Sequence, residues 1–374
     1  FGSRSSSRRS FCRNNVGSIS FMKVAVAGAC NGELDRVFDA VRQVQDRNGF
    51  EVDLLIICGD LQACRDDKDV QTLPGHAKHR KQLKDFRRYY EGTKKAPVTT
   101  LVVGGHVEAP GVLYDLRHGG WLAQNIFFLG HSGVVRCGPL RIAGFSGRFR
   151  QSNYQRGRFE EAPYTDATSE AANNVREWDL LQLSQLAYAV DIVVSYDWPQ
   201  DIWKHGDEKA LMQAPGALSS GDRQLLQANR LGCPGAKKLL EELRPCFWFA
   251  ACPFAKYPAL VKHEDGTHTR FLSLERCGEG KTFLQVLDID TSGEKGADRA
   301  LRRIPAGLGN RGGPSSQRHW RSSRGCGYAS LDFDVEWLSI VKTNYNVTKS
   351  HTSSQISKTV ARAPSWADVL ATSK

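Results

Sequence analysis

Short apolar runs alternate with segments of helical spacing along most of this chain. The first run, residues 23–28, is followed by apolar residues at helical spacing from Leu34 to Val44. Further strands are predicted at 53–58, 98–103, 191–195 and 247–251, and further helices at 83–90, 173–190 and 237–243. Strands that are apolar on both faces and alternate with helices indicate a layered α/β fold.

Three more apolar runs lie unusually close together in the middle of the chain. They cover residues 126–129, 134–135 and 140–143. Strands joined by such short connections usually pair with one another, so this spacing predicts a β-meander on a single sheet.

Polar side chains directly follow four of the predicted strands. In residues 98–108, VTTLVVGGHVE, two glycines let the backbone turn, and His106 and Glu108 come next. The other strand ends carry Cys30-Asn31, Gly59-Asp60 and Tyr196-Asp197. Strand-end loops build the sites of α/β sheets, and carboxylate, His and Asn side chains are the ligands of two-metal phosphoesterases. The alternative for the glycine stretch is a plain turn with a solvated Glu108.

Composition narrows the class of protein. The chain has 374 residues of which 40% are hydrophobic, so it can bury a large core, and it contains no apolar run long enough to span a membrane. Its ten cysteines form no CxxC pair, and several lie in apolar runs, as Cys58 does in LLIICGD. We therefore expect free, buried thiols in a reducing compartment and no zinc finger.

The net charge of +11 is unevenly distributed. Residues 21–290 are neutral, whereas 1–20 carry +4, 291–330 carry +6 and 331–374 carry +1. Basic segments of this kind favour a polyanionic partner or serve solubility alone. Residues 1–21 are Ser/Arg-rich and predicted to be disordered, a composition also typical of an organellar transit peptide.

Many segments, in order, carry a family resemblance. They are MKVAVAGACNGELD (22–35), DLLIICGDLQA (53–63), RRYYEGTKKAPVTTLVVGG (87–105), GGWLAQNIFFLG (119–130), IAGFSGRF (142–149), GRFEEAPY (157–164), DIVVSYDWP (191–199), LRPCFWFAA (243–251), RFLSLERC (270–277), FLQVLDID (283–290) and LDFDVEWLSIVK (331–342). By these segments the chain resembles the lariat RNA debranching enzymes, a branch of the calcineurin-like metallophosphoesterases.

The resemblance implies a fold and a domain order. The fold is an α/β sandwich of two mixed β-sheets flanked by helices, with a small C-terminal debranching-enzyme domain. We assign residues 22–265 to the metallophosphoesterase-like domain and 266–348 to the C-terminal domain, which includes a disordered basic insertion at 292–327. Residues 349–374 are predicted to be a disordered tail in which 365–370 form a short docking helix.

The departures from the family pattern fall on the residues that carry its chemistry. Ala29 and Asn31 replace a Cys and a His, His106 replaces an Asn ligand, and Val107 replaces the His that would protonate the leaving oxygen. Tyr196 replaces a metal-binding His, and Cys252 and Phe254 replace the final His-x-His. Asp60, which bridges the metals in the family, is the only one of these positions unchanged.

We interpret the site as catalytically degenerate and expect no resident cofactor. The alternative is a phosphodiesterase with an altered metal site, in which Cys30, Asp60, His106 and Cys252 hold one divalent Mn, Fe or Zn ion. A local shift, with His106 as the acid and Val107 inserted, is a further possibility.

RNA binding does not depend on the metal ligands. Residues 147–164 overlie the family's lariat-recognition loop, in which arginines contact phosphates and aromatic rings stack on bases. The predicted RNA-binding residues are Arg148, Arg150, Tyr154, Arg156 and Arg158. A solvated basic loop is the alternative, and residues 76–90 form a second basic surface.

We therefore expect a debranching-type protein that binds branched or structured intron RNA, or that acts with splicing-related proteins. The resemblance implies a location in the nucleus, whereas a transit peptide at residues 1–21 would imply an organelle.

Overall fold

The computed structural model describes residues 21–75, 82–214, 216–291 and 329–348. The predictions for residues 1–20, the insertion at 292–327, the tail at 349–374 and part of the basic segment at 76–90 lie outside the described residues. Within the described part, no helix is long and apolar enough to span a bilayer.

The described strands form two mixed sheets. The first sheet has the spatial order β12 (Leu284–Asp290), β1 (Phe21–Ala27), β2 (Leu54–Ile57), β3 (Thr100–Val102), β5 (Ile126–Phe128) and β4 (Gly120–Ala123). The second has the order β10 (Tyr257–Lys262), β11 (His268–Ser273), β9 (Phe247–Ala250), β8 (Ile192–Ser195), β7 (Leu140–Phe145), β6 (Ser132–Cys137) and β13 (Leu331–Phe333). Central pairs such as β1–β2 and β7–β8 are parallel, whereas β1–β12 and β6–β13 are antiparallel.

Helices cover both outer faces. On the first sheet lie α1 (Leu34–Asn48), α2 (Asp67–Gln71), α3 (Phe86–Tyr90) and α4 (Pro110–Asp115). The later elements are α5 (Gln151–Tyr154), α6 (Asp166–Ala172), α7 (Glu177–Ser184), a 3₁₀ turn (Ile202–His205), α8 (Glu208–Gln213), α9 (Ser220–Gln227), α10 (Pro234–Leu243) and α11 (Val335–Thr348). The predicted α/β sandwich of two mixed sheets flanked by helices is confirmed.

Strand residues alternate between two cores, as the period of a β-strand requires. In β2, Leu54 and Ile56 point between the sheets, whereas Leu55 and Ile57 pack against α1. Helices α7, α10 and α11 bury their apolar faces on the second sheet, with Leu183 from α7 in that core. Both faces of β2 are therefore dry, which explains its unbroken apolar sequence.

The predicted β-meander is wrong. Strand β5 belongs to the first sheet, where it pairs in parallel with β3, whereas β6 and β7 belong to the second sheet. The chain crosses from one sheet to the other at Gly130, whose φ of +84° suits glycine. Close spacing along the chain therefore marks a sheet-to-sheet crossing here.

Two predicted helices are shorter than expected. The helix at 83–90 is limited to α3, and the helix at 173–190 is limited to α7. Instead, Asn173 forms a turn at the end of α6, where its side chain bonds the backbone of Glu108, and Asn174 forms a bridge with Arg148. Helix α6, which precedes them, is not predicted by the sequence pattern.

A buried ion-pair cluster attaches α11 to the second sheet. Arg141 on β7 donates to both carboxylate oxygens of Asp334, at 2.9 and 2.7 Å, and to Glu336 at 2.6 Å. The side chains of Arg141 and Asp334 are 3% and 1% exposed. Asp334 also accepts the backbone N–H of Trp337, so it caps the first turn of α11.

Candidate functional site

The candidate site lies where the loops after β1, β2, β3, β8 and β9 meet. Backbone hydrogen bonds join neighbouring loops, as from Cys30 N to Gly59 O at 2.8 Å and from Gly32 N to Asp60 O at 3.0 Å. On the second sheet, the N–H of Trp198 donates to the carbonyl of Cys252 at 3.0 Å. The loops thus form one continuous surface, and all the predicted strand-end residues line it.

Asp60 is the centre of this surface. Its backbone has a φ of +52°, a left-handed conformation that turns the carboxylate back over the sheet edge. Oδ1 accepts the backbone N–H groups of His106 at 2.8 Å and Val107 at 3.2 Å. Oδ2 accepts the hydroxyl of Tyr196 at 2.9 Å. Both oxygens of the carboxylate are therefore satisfied by protein donors.

His106 and Tyr196 complete a three-residue cluster with Asp60. The Tyr196 hydroxyl donates to Asp60, so the His106 Nδ1–H donates to the tyrosine oxygen and lies 3.1 Å from Asp60 Oδ2. Burial opposes the charge on Asp60, but the positive His106 and its hydrogen bonds outweigh this and hold the pKa of Asp60 below its ordinary value. Burial likewise opposes the charge on His106, and Asp60 outweighs it, so the pKa of His106 is raised. Each of the two residues thus favours the charged form of the other.

Two glycines make room for this cluster. A Cβ on Gly59 would lie 2.3 Å from the ring of Tyr196, and a Cβ on Gly105 would lie 2.0 Å from Asp60 Oδ1. The Tyr196 ring thus packs directly on the backbone of the loop that carries Asp60, and Tyr196 is fully buried. Burial and the neighbouring Asp60 charge raise the pKa of Tyr196, so its hydroxyl stays protonated.

The other substituted positions surround the cluster without joining it. Ala29 is buried and its carbonyl accepts the N–H of Cys277, whereas Asn31 is exposed in a left-handed turn with φ of +56°. Val107 is half-buried and packs against the apolar core between the first sheet and its helices. Phe254 places its ring 6.2 Å from His106 and 6.3 Å from Tyr196.

Two buried carboxyl groups hold the surrounding loops, and the sequence pattern identified both only as strand-end carboxylates of a metal-site type. Glu108 accepts the backbone N–H groups of Leu61, Ala63 and Gly105 at 2.8 to 3.3 Å. Burial and the Asp60 charge raise the pKa of Glu108 to about 7. Asp197 accepts the N–H groups of Phe149 and Trp198, and burial raises its pKa to about 6. Their position after strands was visible in the sequence, but their backbone partners were not.

The residues present do not fit a metal ion. Asp60 would have to give up its three hydrogen-bond donors and its contact with His106 to bind one, and burial raises the pKa of both Cys30 and Cys252, which keeps them as thiols. Among residues 21–75, 82–214, 216–291 and 329–348, no group of three or more His, Cys, Asp or Glu side chains could hold a metal. We therefore derive no chemistry through a metal in this chain.

The predicted RNA-binding residues occupy the loop beside this site in two different ways. Arg158 is anchored, since it donates to Asp179 at 2.7 Å and to the carbonyl of Ala172, and Tyr154 packs on Phe149 at 5.3 Å. Arg148 is half-buried near Asp222 at 3.4 Å. Arg150 and Arg156 are exposed, with Arg150 3.5 Å from Glu170 and Arg156 4.4 Å above the ring of Phe159.

Below the loop, a second arginine is enclosed. Arg176 has a side chain only 1% exposed and pairs with Glu160 and the carbonyl of Ala171. Its guanidinium lies 5.8 Å from the ring of Phe159, on which Arg156 also stacks. The loop is thus fixed from beneath, and its outward charge comes from Arg150 and Arg156.

Comparisons with known proteins show which proteins this chain is similar to. A family model described as "Lariat debranching enzyme, C-terminal domain" matches residues 266–368, in agreement with the C-terminal domain of the predicted fold. The chain is similar to proteins named lariat debranching enzyme from Gallus gallus (38% identity, 88% of this chain), Arabidopsis thaliana (40%, 72%) and Homo sapiens (37%, 86%). It spans 56%, 64% and 53% of the lengths of these three relatives.

Proposed function

Since this chain belongs to the lariat debranching enzyme family, we propose that it binds branched or structured intron RNA without metal and has lost the family's hydrolysis of the 2′–5′ phosphodiester. The observation that carries this proposal is the closed cluster of Asp60, His106 and Tyr196. A metal ion at Asp60 would displace a buried hydroxyl and two backbone N–H groups, each of which would then lack a partner.

Two parts of the hydrolysis, activation of water and protonation of the leaving oxygen, lack the residues that the family uses for them. Within the described part of the chain, no group of three or more ligands could hold an ion that activates water, and Val107 stands where the resemblance places the acid for the leaving oxygen. A valine side chain cannot donate a proton. The remaining acid, His106, uses its Nδ1–H on Tyr196 and Asp60.

Positive charge nevertheless persists at the site. His106 has a raised pKa, and Arg148 lies close enough to affect the pKa of both His106 and Tyr196. Arg276, which is exposed, lies 4.1 Å above the ring of Phe254 at the rim. These cations supply attraction for a phosphodiester in the region where metal ions act in the family, and Arg150 and Arg156 extend it along the loop.

We further propose the cellular setting on the resemblance alone. The protein acts in the nucleus, on intron RNA and in contact with splicing-related proteins. The names of its relatives support the RNA partner, and the accessible Arg156–Phe159 pair supplies the stacking and charge that single-stranded RNA requires.

Metal content and turnover test the loss of hydrolysis. Purified full-length chain should hold well below one equivalent of Mn, Fe or Zn per chain by elemental analysis. It should leave a 2′–5′ branched RNA uncleaved when any of these ions is added. Two tightly held ions together with metal-dependent cleavage would overturn the proposal and support the altered-site phosphodiesterase.

A binding titration in the presence of EDTA tests the RNA role. Arg150→Ala combined with Arg156→Ala should weaken binding of branched RNA and reduce the slope of log K against log salt by about one to two, because each lost phosphate contact removes about 0.7 to 0.9. The matched control, Arg42→Ala with Arg47→Ala on the exposed face of α1, removes the same charge and should leave affinity almost unchanged. Equal losses in both variants would indicate nonspecific attraction and contradict a binding site at the loop.

A further inference from the structure

An exposed apolar patch lies where the edges of the two sheets approach each other. Trp121 on β4 and Phe333 on β13 are each 53% exposed, and both contact Phe127, with ring centroids 5.2 and 5.9 Å apart. Two and five residues after Phe333 along the chain, Val335 and Leu338 on α11 are 69% and 48% exposed. Soluble proteins rarely leave several large apolar side chains together in water without a partner.

Helix α11 has apolar residues on two sides. Trp337 and Ile340 are buried against the second sheet, as its amphipathic packing requires. Val335 and Leu338 are three residues apart, so they share the opposite, outward side. The Arg141–Asp334 cluster fixes the first turn of the helix and thereby holds this outward side in place. The first turn of α11, which carries Val335 and Leu338, is therefore fixed against the second sheet.

We propose that residues 365–370 of this same chain dock on this patch, which we call the edge patch (Trp121, Phe333, Val335 and Leu338). The sequence of the segment, SWADVL, places Trp366, Val369 and Leu370 at helical spacing on one face. Ser365 followed by Asp368 is the capping-box pattern that begins helices. A short amphipathic helix laid on an apolar surface is a recurrent mode of recognition.

Two further observations favour this occupant over a separate protein. Residues 349–364 join α11 to the segment and could extend about 50 Å, whereas the 14-residue α11 is about 21 Å long. The chain can therefore turn back and reach the edge patch. The match to the family's C-terminal domain also extends to residue 368, so the family domain includes most of the docking segment.

Hydrogen exchange of the intact chain tests this proposal. Amides of residues 366–370 should exchange at least about tenfold more slowly than an unstructured peptide of the same sequence. Leu338→Glu should abolish this protection, because it places a charge under the docked helix. The matched control, Leu260→Glu on β10, changes a residue that is 45% exposed on the other edge strand of the second sheet and should leave protection intact.

A second variant keeps the test decisive if Leu338→Glu destabilises the fold. Trp366→Ala combined with Leu370→Ala changes only the docking segment and should speed exchange in peptides covering Trp121 and Phe333. Unprotected residues 366–370 in the unmodified chain would overturn the proposal. Concentration-dependent dimers that Leu338→Glu disrupts, without protection of the segment, would instead assign the patch to a second copy of the chain.

Discussion

Asp60 and Asp334 are both buried carboxylates beside a cation, yet they lie in very different regions. Asp334 is sealed between β7 and α11, and its partner Arg141 is 3% exposed at the side chain. Asp60 lies at the opening of the strand-end loops, and its partner His106 is 39% exposed at the side chain. The first cation is permanently charged, whereas the second loses its proton as pH rises through its raised pKa. Asp334 therefore belongs to a buried structural ion pair, whereas Asp60 belongs to a site that faces solvent through His106.

Under the proposed loss of hydrolysis, the same contrast explains how the Asp60 carboxylate is stabilised without a metal ion. A carboxylate that loses its metal partners needs other donors, because a buried unpaired charge is strongly unfavourable. Tyr196 and His106 supply those donors from the two strand-end positions next to Asp60. Tyr196 and His106 are thus hydrogen-bonded members of one cluster that joins the loops after β2, β3 and β8.

Arg141→Met should have the largest effect on stability. It leaves Glu336 without its cation and Asp334 with only the half-exposed Arg136, 3.1 Å away, and breaking a buried pair of this kind costs about 3–5 kcal/mol. Urea unfolding of the purified chain measures the change. Arg244→Ala, which breaks the half-exposed pair with Asp265, is the control and should cost no more than about 1 kcal/mol. Equal effects would mean that the cluster does not clamp α11.

Tyr196→Phe should have a smaller effect at the other carboxylate. It removes the hydroxyl that donates to Asp60 Oδ2 at 2.9 Å but keeps the ring that packs on Gly59. Loss of one hydrogen bond to a charged group costs about 2 kcal/mol. The same urea titration measures it, and nuclear magnetic resonance of His106 should show a changed pKa. No change in either quantity would contradict the three-residue cluster.

His106→Gln should have the smallest effect, and only at some pH values. The raised pKa of His106 means that its pairing stabilises the fold below the unfolded value of about 6.5 and is lost as pH rises through the folded value. The lowered pKa of Asp60 stabilises the fold above about 3.9 and is lost as pH falls. Unfolding free energies of the two proteins should therefore differ most between about pH 4 and 6.5 and converge above it. A difference independent of pH would show that His106 acts as a neutral partner.

Arg141→Met gives the reference for that experiment. An arginine keeps its charge throughout this range, and Asp334 has a lowered pKa, so the destabilisation should stay constant from about pH 5 upward, across the range in which the His106 variant changes. A pH-dependent loss of stability in the His106 variant, compared with the constant loss in the Arg141 variant, distinguishes the Asp60 site from the Asp334 cluster.

The sequence allowed the buried strands to be predicted well, because β1, β2, β8 and β9 are unbroken apolar runs with polar residues at their ends. It also placed Asp60 and His106 at one edge, since the carboxyl ends of parallel strands share an edge of a sheet, whereas Tyr196 reaches them from β8 of the second sheet. Sheet membership failed for β5, because spacing along the chain does not report which sheet a strand joins.

The pairing of side chains could not be predicted. The bond from Tyr196 to Asp60 depends on a left-handed turn at Asp60, which no local pattern requires. The link between Arg141 and Asp334 joins residues separated by 193 positions. Such contacts follow from the packed loops and helices, and the sequence reveals only that the polar residues exist.

The position of β12 and β13 has a consequence for how this family can vary. These strands bracket residues 292–328 and lie at distant places: β12 is at one edge of the first sheet, whereas Phe333 of β13 contacts β5 near the other. Four strand spacings separate β12 from β5, roughly 20 Å, which about six extended residues would span. The intervening segment is far longer than this minimum, so its length is under little geometric constraint. Doubling such a connection changes the entropy of closure by only about 0.6 kcal/mol, and insertions here leave both sheet registers untouched.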